Sequence, residues 1–246
     1  MTMPALLSRF GLHKARFVTT SGQVIFDGVT LTATGGFHHA VHGSVTPVAD
    51  HTFHGGTEQP DDETKPPAWW DDATLLARHQ DAMESAFPGF SYIPGDGDVP
   101  PAWGGVIDTG RGKFNVGIFT RHDQGLPRVV VFNHHLGAPA GKRWQKPPHL
   151  FVNDNLCVAD EGDWDRETHT VATVVGWAAH WLSAYTEWRI SRRWPVEGVD
   201  VRASYSRGLA AQGPTGRPAG LPEAGRQARR RELPGDGPGR ALGQVR

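Results

Sequence analysis

Residues 147–164 read PPHLFVNDNLCVADEGDW and contain Cys157, the one cysteine of the 246-residue chain. Pro147-Pro148 interrupts any regular element before it, and Asn153-Asp154 is a turn signal. Leu156-Cys157-Val158 is a short extended run, and a helical pattern begins after Trp164. The thiol therefore falls between a loop and a helix, outside any periodic core element. Two readings follow from the residues alone. A lone cysteine can be a small buried hydrophobe. It can also be a nucleophile, which needs access, some thiolate at neutral pH and donors for a developing oxyanion. A loop supplies access and backbone N–H groups, and His149, Asn153 and Asn155 are polar neighbours in sequence.

A single cysteine excludes an intramolecular disulfide framework and a cysteine-based zinc site, and it suits a reducing cytoplasm. The net charge of −1 gives no general attraction to nucleic acid or to an anionic membrane. No run approaches the ~20 apolar residues of a membrane span. The opening MTMPALLSRFGLHKARF lacks an apolar run followed by a small-residue cleavage site, so no signal peptide is read there.

Outward from the cysteine, the chain divides into three. Residues 68–201 read as a packed α+β domain. DDATLLARHQDAMESAF is a helix that Asp71 or Asp72 can cap. Leu75, Leu76, His79, Met83 and Ala86 share one of its faces, and Pro88-Gly89 stops it. FSYI, WGGVID, KFNVGIFTR and RVVVFNHHL follow as strands, with Phe114, Val116 and Ile118 alternating against Asn115 and Gly117. The turns between them predict antiparallel neighbours. GAPAGKRWQKPP reads as irregular. After the cysteine, residues 165–191 read as a long helix with Asp165 and Glu167 in its first turn and Arg189, Arg192 and Arg193 near its end, matching the helix dipole. Val171, Val174, Val175, Ala178, Trp181 or Leu182, and Tyr185 make an apolar stripe. Gly176 disfavours a helix interior, so close packing is expected there.

Residues 1–67 are rich in Gly, Thr and His. Ser21-Gly22 and Asp27-Gly28 are hairpin signals, so a small β-meander is expected, followed by a polar linker, HGGTEQPDDETKPP. Residues 202–246 carry nine arginines against two glutamates and one aspartate and almost no aromatic or β-branched residues. That composition reads as a disordered tail.

The order of elements (helix, four strands, Pro-rich loop, His, Asn, Cys, Trp, Trp-rich helix) resembles a ubiquitin-conjugating enzyme domain over about residues 69–201. It is most similar to the prokaryotic ubiquitin-conjugating-like proteins. The residues that carry the resemblance are Pro148-His149, Asn153-Asp154, Leu156-Cys157, Trp164, GWAAHWLSAYTEW and RRWPVEG, with AFPGFSYIP, Trp103 and LPRVVVF upstream. The resemblance implies the ubiquitin-conjugating fold: an N-terminal helix, a four-stranded antiparallel meander, an active-site loop and a long C-terminal helix. It implies that Cys157 carries a ubiquitin-like protein or a protein C-terminus as a thioester. His149 stands where the eukaryotic branch has the Asn of His-Pro-Asn, and would support the loop or the oxyanion. Asn153 takes the turn position and would set loop geometry, and Trp164 would pack. The implied partners are an activating enzyme, the carried protein and, because such proteins occur in antiphage operons, a cyclic-nucleotide synthase as target. No cofactor or metal is implied.

Asp160, Glu161 and Asp163 follow the cysteine closely enough to polarise an incoming lysine, although loop acids are more often simply solvated. Two rival readings remain. A non-catalytic binding module of the same fold would usually lack the cysteine. A Cys-His hydrolase would need a histidine within ~3 Å of the sulfur. His38, His39, His42, His51 and His54 cluster in sequence without a metal-ligand spacing. Trp177, Trp181 and Trp188 form a helical stripe that serves a core or, if it exceeds what a sheet covers, a partner surface. Trp69-Trp70 precedes the first helix as a candidate hydrophobic staple.

Overall fold

The alternation of Phe114, Val116 and Ile118 turns one face of a strand inward, and a four-stranded sheet is built on it. In the computed structural model, which describes residues 15–62 and 68–196, strands β6 (Ser91–Ile93), β7 (Ala102–Asp108), β8 (Lys113–Phe119) and β9 (Arg128–Val131) pair antiparallel in sequential order. The register sets Trp103 opposite Ile118 and Ile118 opposite Val129, with Ile107 opposite Phe114. All five side chains are buried, so one face of the sheet is core. The other face shows Val106, Phe119 and Phe132 to solvent.

Before this sheet, β1 (Phe17–Thr19), β2 (Val24–Ile25), β3 (Val29–Leu31), β4 (Phe37–His39) and β5 (Gly43–Pro47) form a second sheet in the order β2-β1-β5-β4-β3. Ser21-Gly22 makes the β1–β2 hairpin as expected. Gly22 has φ +99°, and a Cβ there would strike Ile107 at 2.7 Å, so only glycine fits. Asp27-Gly28 turns the chain but does not join paired strands, because β2 pairs with β1 and β3 with β4. Val18 and Phe53 lie in the same hydrophobic core as the four-stranded sheet. The Ser21 carbonyl also accepts the Asp108 N–H at 2.8 Å.

Helix α1 (Ala73–Ala86) is capped by Asp72, whose carboxylate accepts the N–H groups of Thr74 and Leu75 at 2.8 and 3.2 Å. Ahead of it Trp69 and Trp70 are buried in a short 3₁₀ turn, and the Trp69 indole donates to the Arg121 carbonyl. GAPAGKRWQKPP, expected to be irregular, contains a hairpin of β10 (Ala138–Ala140) and β11 (Arg143–Gln145). Gly141, at φ +63°, makes its turn possible.

The long helix α2 runs Val171–Ser191, six residues shorter at its start than the sequence suggests. Residues 165–169 form a turn closed by His169 N–H to the Asp165 carbonyl, and Thr170 caps the helix in a capping box with Thr173. Asp165 and Glu167 thus lie outside the first turn. Its burial also differs from a stripe. Trp177, Trp181 and Leu182 are wholly buried, as are Val174, Val175, Ala178 and Ala179 around the helix. A helix apolar all round is a core helix, and α2 touches α1, β1, β2 and β8. Trp177, Trp181 and Trp188 therefore serve packing and not a partner. An added Cβ on Gly176 would meet nothing within 4 Å, so close approach does not explain that glycine.

The disordered-tail reading of residues 202–246 lies outside the described residues, as does most of the segment read for a signal peptide. No helix among the described residues is long and apolar enough to cross a membrane.

Candidate active site

After Pro148, His149 adopts a left-handed backbone, φ +58°. Leu150 and Leu156 then bridge antiparallel, and between them Phe151 N–H donates to Asn155 O and Asp154 N–H to Phe151 O. Asp154, at φ +69°, tolerates the turn because Asx residues visit that region readily. The loop is docked by Leu156 N–H to the Val129 carbonyl of β9 at 2.9 Å. Cys157 N–H donates to the His149 carbonyl at 3.2 Å, and the Trp181 indole donates to that same oxygen at 2.9 Å. The backbone around the cysteine is thus fixed from both the sheet and α2.

The sequence reading expects an accessible thiol, but Cys157 is 1% exposed. Its Sγ donates a weak hydrogen bond to the Ala159 carbonyl at 3.7 Å. Burial pushes the thiol up to about 12, opposed by backbone N–H groups of His54 and Gly55 and reinforced by the negative charges of Asp160 and Glu58. At neutral pH that leaves on the order of one thiolate in 10⁵ molecules.

The cover comes from residues 52–62, most of which the sequence reads as the start of a polar linker. Thr52 N–H donates to Asp163 Oδ2 at 2.7 Å, and Phe53 is buried in the core. The His54 carbonyl accepts from His149 Nδ1, and His54 Nε2 meets Asp160 Oδ2 at 3.0 Å. Because a carbonyl only accepts, Nδ1 is the protonated nitrogen of His149 in that bond. Gly56 bridges Phe151 in parallel, with Val152 N–H donating to the Gly56 carbonyl at 2.9 Å. The Glu58 carboxylate accepts both Asn153 Nδ2 and Asn155 Nδ2, at 2.8 and 2.9 Å. Arg121, 3% exposed, then grips the carbonyls of Gln59 and Pro60 while paired in a fork with Asp123 and reaching Glu161. Asp61 accepts the N–H groups of His122 and Asp123.

The structure brings together Cys157 and His149, the latter through its carbonyl. Asn153 donates to Glu58 and accepts the Asn155 N–H, which holds the loop tip. Each of the three acids after the cysteine is engaged: Asp160 with His54, Glu161 with Arg121, and Asp163 with the N–H groups of Thr52 and Asp160. Trp164 packs against His169 and Trp177 and donates its indole to the Gln124 carbonyl. Of the N-terminal histidines, His51 meets His180 at 2.9 Å, beside Trp177 and Phe53. Gly55, Glu58 and Arg121 escape the sequence reading, and His54 enters it only as one of a cluster of histidines, because 40 to 95 residues separate contacting partners such as Arg121–Glu161 and Glu58–Asn153.

No curated protein and no solved structure matches the chain. A family model described as Type II CBASS E2 protein matches residues 79–201, half of the chain, and spans the four-stranded sheet, the cysteine loop and α2. With the ordered set of motifs that resembles bacterial ubiquitin-conjugating-like proteins, this places the chain in the Type II CBASS E2 family.

Proposed function

We propose that this protein is an acyl carrier of the ubiquitin-conjugating type, with Cys157 as the thioester-forming residue. The observation that carries the reading is the placement of the only cysteine. Within the family match, it sits on a loop pinned by Val129 of the sheet and by Trp181 of α2. The order β6-β7-β8-β9, loop, α2 supports a ubiquitin-conjugating fold.

In the first step the Cys157 thiolate attacks the thioester carbonyl presented by an activating enzyme. A new C–S bond forms on Sγ, the donor C–S bond breaks, and the donor sulfur leaves as a thiol with the proton. In the second step an amine attacks the Cys157 thioester, a C–N bond forms, and Sγ leaves as the thiol. The acyl group is already activated, so a strongly depressed cysteine pKa is not required. His149 serves by fixing the Cys157 backbone and Asn153 by holding the loop turn. The carried group is a ubiquitin-like protein or a target C-terminus. The family match supports a role in antiphage defence, and a cyclic-nucleotide synthase is the proposed acceptor. The cytoplasm is the proposed site of action.

The test is a non-reducing gel of the full chain with its activating enzyme and carried protein. The reading expects a reductant-sensitive adduct, absent from Cys157→Ala and reductant-resistant in Cys157→Ser. A wild-type chain that forms no adduct under those conditions leaves the non-catalytic binding module as the better reading.

A further inference from the structure

We propose that residues 54–62 form a self-inhibitory strap that closes over Cys157 and has to lift before any electrophile reaches Sγ. The consequence for acyl transfer rests on the carrier reading above, while the occlusion itself does not.

The composition of the strap is what makes it a moving part. Phe53 is anchored in the core at 1% exposure, yet the nine residues after it are His, Gly, Gly, Thr, Glu, Gln, Pro, Asp and Asp. None contributes a buried apolar side chain. The strap is held by hydrogen bonds and ion pairs at its rim: Val152 N–H to Gly56, Asn153 and Asn155 to Glu58, His54 to Asp160, and Arg121 to the carbonyls of Gln59 and Pro60. Segments with few buried apolar contacts open at lower free energy than the global fold. Gly55 and Gly56, at φ +148° and +97°, supply the backbone freedom of a hinge beside the fixed Phe53.

The same segment takes up the space an acyl donor needs. Cys157 is 1% exposed, and residues 54–58 bond to its loop at His149, Val152, Asn153 and Asn155. The Gly55 Cα lies so near the loop that an added Cβ would sit 3.6 Å from the His149 Cα and the Leu150 carbonyl. A carbonyl carbon has to come within van der Waals contact of sulfur before a bond forms, and this cover leaves no room for it. Lifting residues 54–58 exposes the sulfur while Leu156 N–H stays bonded to Val129, so the loop keeps its shape when open.

Iodoacetamide alkylation of the full chain reads the strap directly, because there is only one thiol. Two variants loosen the clasp: Glu58→Ala, which also removes a negative charge that raises the thiol, and Asp61→Ala, whose carboxylate holds the strap to His122 and Asp123 and is not among the charges acting on Sγ. Each is expected to speed native-state alkylation of Cys157 about tenfold or more. Amide hydrogen exchange is expected to rise at Val152 and to stay slow at Leu156 and through α2. For the wild type, alkylation in increasing urea is expected to show a slope well below that of global unfolding.

Wild-type Cys157 reacting as fast as the urea-unfolded chain overturns the strap. So does a urea slope equal to that of global unfolding, or both variants alkylating at the wild-type rate. A glycine-terminated peptide thioester separates this inference from the carrier reading. A loosened variant that alkylates fast but takes up no acyl group supports the strap and removes the carrier.

Discussion

Trp181 donates its indole N–H to the carbonyl oxygen of His149, the oxygen that also receives the N–H of Cys157. One buried acceptor thus couples the core of α2 to the cysteine backbone. Trp181→Phe keeps most of the ring volume and removes the donor. The His149 carbonyl keeps the Cys157 N–H, so the lost hydrogen bond costs about 0.5–1.5 kcal/mol, and the urea midpoint is expected to fall with little change in slope. The exchange rate of the Cys157 amide is expected to rise more than that of Leu156, which is held by Val129. Equal effects at the two amides contradict the coupling.

Much of the fold was legible because local chemistry and tertiary demand agree. The alternation of Phe114, Val116 and Ile118 matches the buried face of β8, and Asp72 caps α1 as its position suggests. The start of α2 was misread because Asp165 and Glu167 look like first-turn acids. Asp165 instead closes a turn through its own carbonyl, and its side chain accepts from Glu167 and Thr168. Cys157, His149 and Asn153 could be named as candidates from sequence because they lie within nine residues of one another. Their cover could not, because His54, Gly55 and Glu58 have a linker's composition and acquire a role only through contacts across about 95 residues.

Burial should set the pH dependence of the thiol. With Cys157 pushed up to about 12, the rate of native-state alkylation is expected to keep rising through pH 10. A free cysteine levels off above about pH 9. The comparison is a pH-rate profile for the native chain against the same chain in urea. A plateau near pH 9 in the native chain means the sulfur is solvated.

Three histidines link stability to acid. Burial holds His51 and His79 down to about 4, and burial with the neighbouring His51 charge holds His180 well below its ordinary value. The positive charge of Arg16 adds to the lowering at His51 and His180. Because the folded state binds these protons less well than the unfolded state, stability is full above about pH 6.5 and falls as pH drops toward 4. His51 and His79 each account for on the order of 3 kcal/mol across that window. His51→Gln and His79→Gln are each expected to flatten the dependence. A unchanged slope between pH 6.5 and 4 in both variants contradicts the assignment.

Gly176 has open space where a methyl group would sit. Gly176→Ala is therefore expected to stabilise the chain by about 0.5–1 kcal/mol through the helix-forming advantage of alanine. Thermal melts of the two proteins decide it. A lowered melting temperature shows that α2 is packed more tightly there than the space indicates.

As a carrier, Cys157 is proposed to accept an acyl group on Sγ. The most direct test of that proposal is the intact mass of the full chain after incubation with a glycine-terminated peptide thioester, using wild type, Glu58→Ala and Cys157→Ala. One added acyl group is expected on wild type, faster addition on Glu58→Ala, none on Cys157→Ala, and complete release by hydroxylamine at neutral pH. No adduct on Glu58→Ala, where the cover is loosened, or an adduct that survives hydroxylamine, would contradict the proposal.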